Sequence, residues 1–143
     1  MAGPEPPRAS APLNVSILSQ DDYLIVSIHT ALDDGQMSQL QENLIEQVGR
    51  RRARGIIVDV AALDVVDSFA TRTLTQLAKM ARLRGAETVV VGIAPEVAIA
   101  MVQLSLSMDY VVTALDLEEG LQRLRELTGA VPSMVGSRTQ DAR

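Results

Sequence analysis

Ile56-Ile57-Val58-Asp59-Val60-Ala61-Ala62-Leu63-Asp64-Val65-Val66-Asp67-Ser68-Phe69 reads as a buried strand, an acidic loop and the first turn of an amphipathic helix. The near-continuous apolar run Gly55 to Val60 suits a central strand covered on both faces. Downstream, Ala70, Leu74, Leu77 and Ala81 repeat at helical spacing and define a buried stripe. That helix ends near Gly85, with Arg82 and Arg84 in its last turn. Ser68 reads as the helix N-cap, its oxygen accepting an N–H bond worth about 1 kcal/mol. The same geometry presents a hydroxyl to solvent at an electropositive helix end, beside the carboxylate of Asp67. Helix N-termini favour anions, so the pair suggests a phosphorylation switch.

Outward from this run the pattern stays regular. Leu13 to Leu18 and Tyr23 to His29 read as strands joined by a turn at Asp21-Asp22, a hairpin. Asp33-Asp34-Gly35 offers capping chemistry for a helix carrying Met37, Leu40, Leu44 and Val48 and running to about Gly49. Glu87 to Gly92 is another buried strand. Pro95 suits a first helical position, with Glu96 beside it. Val97, Met101, Leu104 and Met108 form one stripe of that third helix, while Ile99, Val102 and Leu106 lie elsewhere around it. A helix apolar on more than one face is deeply buried or part of an interface. Tyr110 to Thr113 is a short last strand, and Asp116 caps a final helix with Leu117, Leu121, Leu124 and Leu127. The order β-β-α-β-α-β-α-β-α predicts an α/β fold, a mixed sheet of about five strands packed against about four helices.

Composition narrows the functional classes. The chain has 143 residues, one domain by length. Residues 1–12 hold four prolines and read as a disordered Pro-rich arm; residues 129–143 read as a flexible tail. A net charge of −5 and only three aromatic residues argue against nucleic-acid binding, which needs a basic footprint or stacking platforms. Arg50-Arg51-Arg52-Ala53-Arg54 is read as a solvated basic loop after a helix end, favoured by the helix dipole. Without cysteine there is no disulfide, thiolate metal site or thiol catalysis. Asp59, Asp64, Pro95 and Glu96 interrupt the apolar stretches, so no membrane span is expected.

No catalytic constellation stands out. His29, the only histidine, follows a strand and has no ligand-spaced partner. Asp59, Asp64 and Asp67 do not make a receiver-type acidic pocket: Asp21-Asp22 precedes its strand, and the only lysine, Lys79, lies within a mid-chain helix. No nucleophile–base order, P-loop or dinucleotide turn is present. The expectation is a non-enzyme without cofactor or metal.

The string Leu63-x-Val65-Val66-Asp67-Ser68-Phe69-x-Thr71-Arg72, with Gly92-Ile93-x-Pro95-x-Val97-Ala98, resembles STAS domains, within them the RsbS-type stressosome scaffold and antagonist. The resemblance spans residues 13–128. It implies a cytoplasmic phosphoprotein whose Ser68 is modified by a switch serine/threonine kinase (RsbT-like), with Asp67, Phe69, Thr71 and Arg72 on the kinase-facing surface. It further implies a large assembly with sensor paralogues (RsbR-like), release of the kinase on phosphorylation, and reset by a PP2C-type phosphatase. A free-standing anti-anti-sigma factor binding an anti-sigma kinase is the alternative. Simple antagonists follow the serine with small residues and glycines, typically Asp-Ser-Ser-Gly-Leu-Gly; Phe69-Ala70-Thr71-Arg72 departs from this toward the scaffold subtype. Val91 stands where sensor paralogues carry a second phosphorylatable threonine.

Overall fold

A computed structural model describes residues 15–129. The expected N-terminal arm, residues 130–143 of the expected C-terminal tail, and the first two residues of the expected first strand lie outside the described residues; Gly129, placed in that tail by sequence, closes the last helix instead (φ 71). Five strands alternate with four helices: β1 Val15–Gln20, β2 Tyr23–Ile28, α1 Asp34–Arg51, β3 Gly55–Asp59, α2 Ser68–Leu83, β4 Glu87–Val91, α3 Pro95–Gln103, β5 Val112–Ala114 and α4 Leu117–Thr128. The sheet order is β1-β2-β3-β4-β5, so β3 is central, as its apolar run predicts. β1 pairs antiparallel with β2; every other pairing is parallel.

Strand side chains alternate between faces, and both faces are covered. Leu24, Val26, Ile28, Ile56, Val58 and Val90 join one core with Leu44 and Val48 of α1, Leu74 and Leu77 of α2, and Val97 and Met101 of α3. Tyr23, Ile25, Ile57, Val89 and Val91 form a second core whose only buried helical side chain among the described residues is Leu124 of α4. Close approach of α4 depends on Gly120, where a Cβ would fall 2.6 Å from Val91 Cγ1.

Helix starts follow local chemistry. Asp33 caps α1 through a capping box with Gln36, Asp33 Oδ1 accepting from Gln36 N–H at 2.8 Å. Asp116 caps α4 by accepting from Glu119 N–H at 2.9 Å. Arg52 closes α1 in the left-handed region (φ 53), and Arg54 reaches the Thr128 carbonyl. The basic loop thus stitches one end of the sheet to α4.

Two expectations about the C-terminal half need correction. The stripe continuing to Met108 predicts a longer third helix, but α3 stops at Gln103 and Ser105 turns left-handed (φ 59). Met108 still packs on the core from the loop, so its apolar spacing reflects burial, not helix. The last strand starts at Val112; Tyr110 has φ 68, incompatible with an extended strand. Ile99, Val102 and Leu104 remain exposed.

The parallel strands give the sheet two unlike rims. The N-terminal ends of α1, α2, α3 and α4 follow the C-terminal ends of β2, β3, β4 and β5 and gather at one rim. The turns Arg52–Arg54 and Arg84–Ala86, which lead back into strands, occupy the other.

Candidate functional site

The loop from β3 to α2 is pinned at both ends. Asp59 Oδ1 accepts from Ala61 N–H at 2.9 Å, Val60 N–H donates to the Val91 carbonyl at 3.0 Å, and Leu63 N–H to the Val60 carbonyl at 2.9 Å. Leu63 and Val66 are buried, whereas Val65 is exposed at the tip. The neighbouring turn after β4 presses against it: Gly92 has φ 83, and a Cβ there would lie 2.9 Å from Ala61 Cβ. Asp67 and Ser68 therefore start α2 from a fixed base.

The N-cap is Asp67, not Ser68. Its backbone is extended (φ −82, ψ −179), and its Oδ1 accepts from Ala70 N–H at 2.8 Å. Ser68 is the first helical residue, exposed, and its hydroxyl has no hydrogen-bond partner among the described residues. Serine and aspartate are comparable caps; the residue with extended backbone, Asp67, takes the role. Sequence alone could not rank the two adjacent candidates.

The remaining candidate residues divide. Thr71 faces the interior at 2% exposure, and its hydroxyl donates to the Asp67 carbonyl at 2.9 Å. This corrects the expectation that it shares the outer surface. Thr73 and Thr75 bond back in the same way to Phe69 and Thr71 carbonyls, both at 2.9 Å. Buried hydroxyls are thereby satisfied without leaving the helix. Phe69 is half-buried and packs on the core, and exposed Arg72 lies over its ring, 5.9 Å from the centroid. The outer surface is therefore Asp67, Ser68, Phe69 and Arg72, with Val65 at the loop tip. Val65 stands in the motif, but its exposure beside a buried Val66 is legible only in three dimensions. Val91 is buried at the end of β4.

Elsewhere, His29 Nε2 lies 2.7 Å from Ser16 Oγ, a strand-end contact. Among the described residues, no group of three or more His, Cys, Asp or Glu side chains is placed to hold a metal ion. None of the described helices is long and apolar enough to cross a membrane.

The STAS domain family model matches residues 14–120. The chain belongs to the STAS domain family. This STAS domain is 37% identical to an RsbS variant from Moorella thermoacetica with a serine-to-glutamate substitution; the match covers 80% of this chain and 97% of that one, with a TM-score of 0.69. A chain in the structure of the molecular architecture of the stressosome, a signal integration and transduction hub, is 34% identical over 78% of this STAS domain and 97% of that chain, with a TM-score of 0.62. The RsbT co-antagonist protein RsbRA of Bacillus subtilis (strain 168) is 29% identical over 108 residues, covering 76% of this chain and 39% of RsbRA. The STAS domain thus spans about two fifths of RsbRA, but nearly all of the RsbS structure.

Proposed function

We propose that this STAS domain is a non-enzymatic, phospho-regulated scaffold of a stressosome-type assembly. It holds a switch serine/threonine kinase (RsbT-like) together with sensor paralogues (RsbR-like) and releases the kinase when Ser68 is phosphorylated. The observation that carries the reading is the division of labour at the start of α2. Asp67 does the capping, so the Ser68 hydroxyl is exposed and has no partner among the described residues. A kinase can take it without breaking a structural bond. Similarity to RsbS and to a stressosome chain supports the assembly, and similarity to RsbRA supports sensor partners of that class. A PP2C-type phosphatase resets the switch, and the cycle runs in the cytoplasm.

Magnitudes favour release over unfolding. A phosphoryl group adds about −1.5 to −2 charges. The helix end returns roughly 0.3–1 kcal/mol. Repulsion from Asp67 at about 6 Å costs roughly 0.7 kcal/mol per unit charge in water, but about 3 at an effective dielectric of about 20. The modified site is tolerable in solvent and unfavourable beneath a docked partner. The test is incubation with the cognate switch kinase and ATP, followed by phosphate mapping. Labelling of Ser68, abolished in Ser68→Ala, is expected; unchanged labelling of Ser68→Ala overturns the reading.

A further inference from the structure

Helix α2 has 16 residues and no acidic side chain, in a chain of net charge −5. At 3.6 residues per turn, Ser68, Arg72, Thr75, Lys79 and Arg82 share an arc of about 80°. This arc faces away from buried Leu74, Leu77 and Ala81. Arg72, Lys79 and Arg82 are exposed. Arg72 and Lys79 make no ion pair among the described residues, whereas Arg82 pairs with Glu87 at 3.0 Å. Asp67 lies at the head of the strip, and Asp109 adjoins Tyr110 in sequence.

Aromatic rings position these cations. Arg72 lies over Phe69, and Tyr110 has Lys79 Nζ at 5.3 Å and Arg82 Cζ at 5.5 Å from its centroid. Tyr110 adopts a left-handed backbone (φ 68), a conformation that bulky residues avoid. A cation held on a ring face retains outward N–H donors. The helix therefore presents a pre-ordered basic strip starting at the proposed phosphorylation site, on a molecule of net charge −5.

We propose that this strip docks an acidic surface of the switch kinase, and that phosphorylation of Ser68 acts by cancelling the strip's charge. The proposal rests on the reading of Ser68 given above and adds the chemistry of the partner. Arg72, Lys79 and Arg82 carry three positive charges. Glu87, paired with Arg82, and Asp67 at the head of the strip offset two of these charges, so a phosphoryl group of about −1.5 to −2 at Ser68 turns a strip of about +1 negative. Arg72, one turn along at i+4, is the phosphate's nearest cation on the helix. Modification thus weakens attraction for a carboxylate-rich partner before any steric clash is invoked.

The experiment measures affinity for the purified cognate kinase from low salt to about 0.5 M NaCl. For the native chain, affinity falls as salt rises. Lys79→Glu weakens binding at least about tenfold at low salt and flattens the salt dependence. Lys79→Gln has a smaller effect, and Lys79→Arg restores binding. Arg123→Glu on α4, across the sheet, makes the same change in net charge and leaves affinity within about twofold. Circular dichroism confirms that each variant is folded. If the kinase binds and labels Ser68 but neither salt nor Lys79→Glu alters affinity, the docking strip is overturned and the Ser68 reading stands. If the native chain neither binds the kinase nor is labelled, both are overturned.

Discussion

Asp67 and Ser68 are adjacent polar residues with separate duties, and mutation can tell them apart. Asp67→Ala removes the Oδ1 acceptor for Ala70 N–H and is expected to cost about 1 kcal/mol, a drop of a few degrees in melting temperature. Ser68→Ala removes a hydroxyl with no partner among the described residues and should stay within about 0.5 kcal/mol of the native chain. Thermal unfolding of both variants decides the matter; a larger loss for Ser68→Ala would return the cap to the serine. Ser68→Asp is expected to keep the melting temperature while weakening kinase capture, measured by pull-down with the cognate kinase. The sequence exposes the motif and its helical context. It does not rank two good caps one residue apart, because that choice depends on which of the two keeps extended backbone in the fold.

Among elements, the loop preceding α2 and the turn after β4 act as one unit. Gly92 combines φ 83 with contact distance to Ala61, so Gly92→Ala brings both backbone strain and a clash. We expect a loss of more than about 1 kcal/mol, together with slower phosphorylation of Ser68. Native-like stability with normal phosphorylation kinetics would show that the two turns are uncoupled. Most elements are legible in sequence because period and punctuation agree: Asp33, Asp67 and Asp116 lie at helix starts, and Gly85 and Gly129 lie just past helix ends. The segment after Gln103 is misread because Leu104 and Met108 keep helical spacing while the chain has left the helix. Nothing around Ser105 in the sequence announces its positive φ. Thr71 is misplaced for a related reason: a hydroxyl suggests surface, but back-bonding to the Asp67 carbonyl lets it enter the core.

For the molecule as a whole, the two cores have unequal support. The first draws buried side chains from three helices, whereas the second has Leu124 from α4 as its buried helical anchor. Leu124→Ala should cost about 2–5 kcal/mol by opening a cavity against Ile57 and Val89. Leu127→Ala, at a position 41% exposed, should stay within about 0.5 kcal/mol; denaturant titration distinguishes them. The order of elements is legible before any coordinates because buried strands and amphipathic helices dominate the pattern, and the family resemblance is carried by the motif around Asp67-Ser68. The basic strip of α2 is only half legible. Its missing acidic residues can be counted in sequence, but the meeting of Tyr110 with Lys79 and Arg82 requires the fold.

The sheet's two rims have a practical consequence for observing the switch. Five residues of strand separate the Arg52–Arg54 turn from the rim that carries Ser68, about 16 Å at 3.3 Å per residue. The native chain contains no cysteine, so a single thiol introduced at exposed Arg51 is uniquely addressable. A fluorophore placed there sits at the rim opposite Ser68, and the labelled chain should be phosphorylated by the cognate kinase at the native rate.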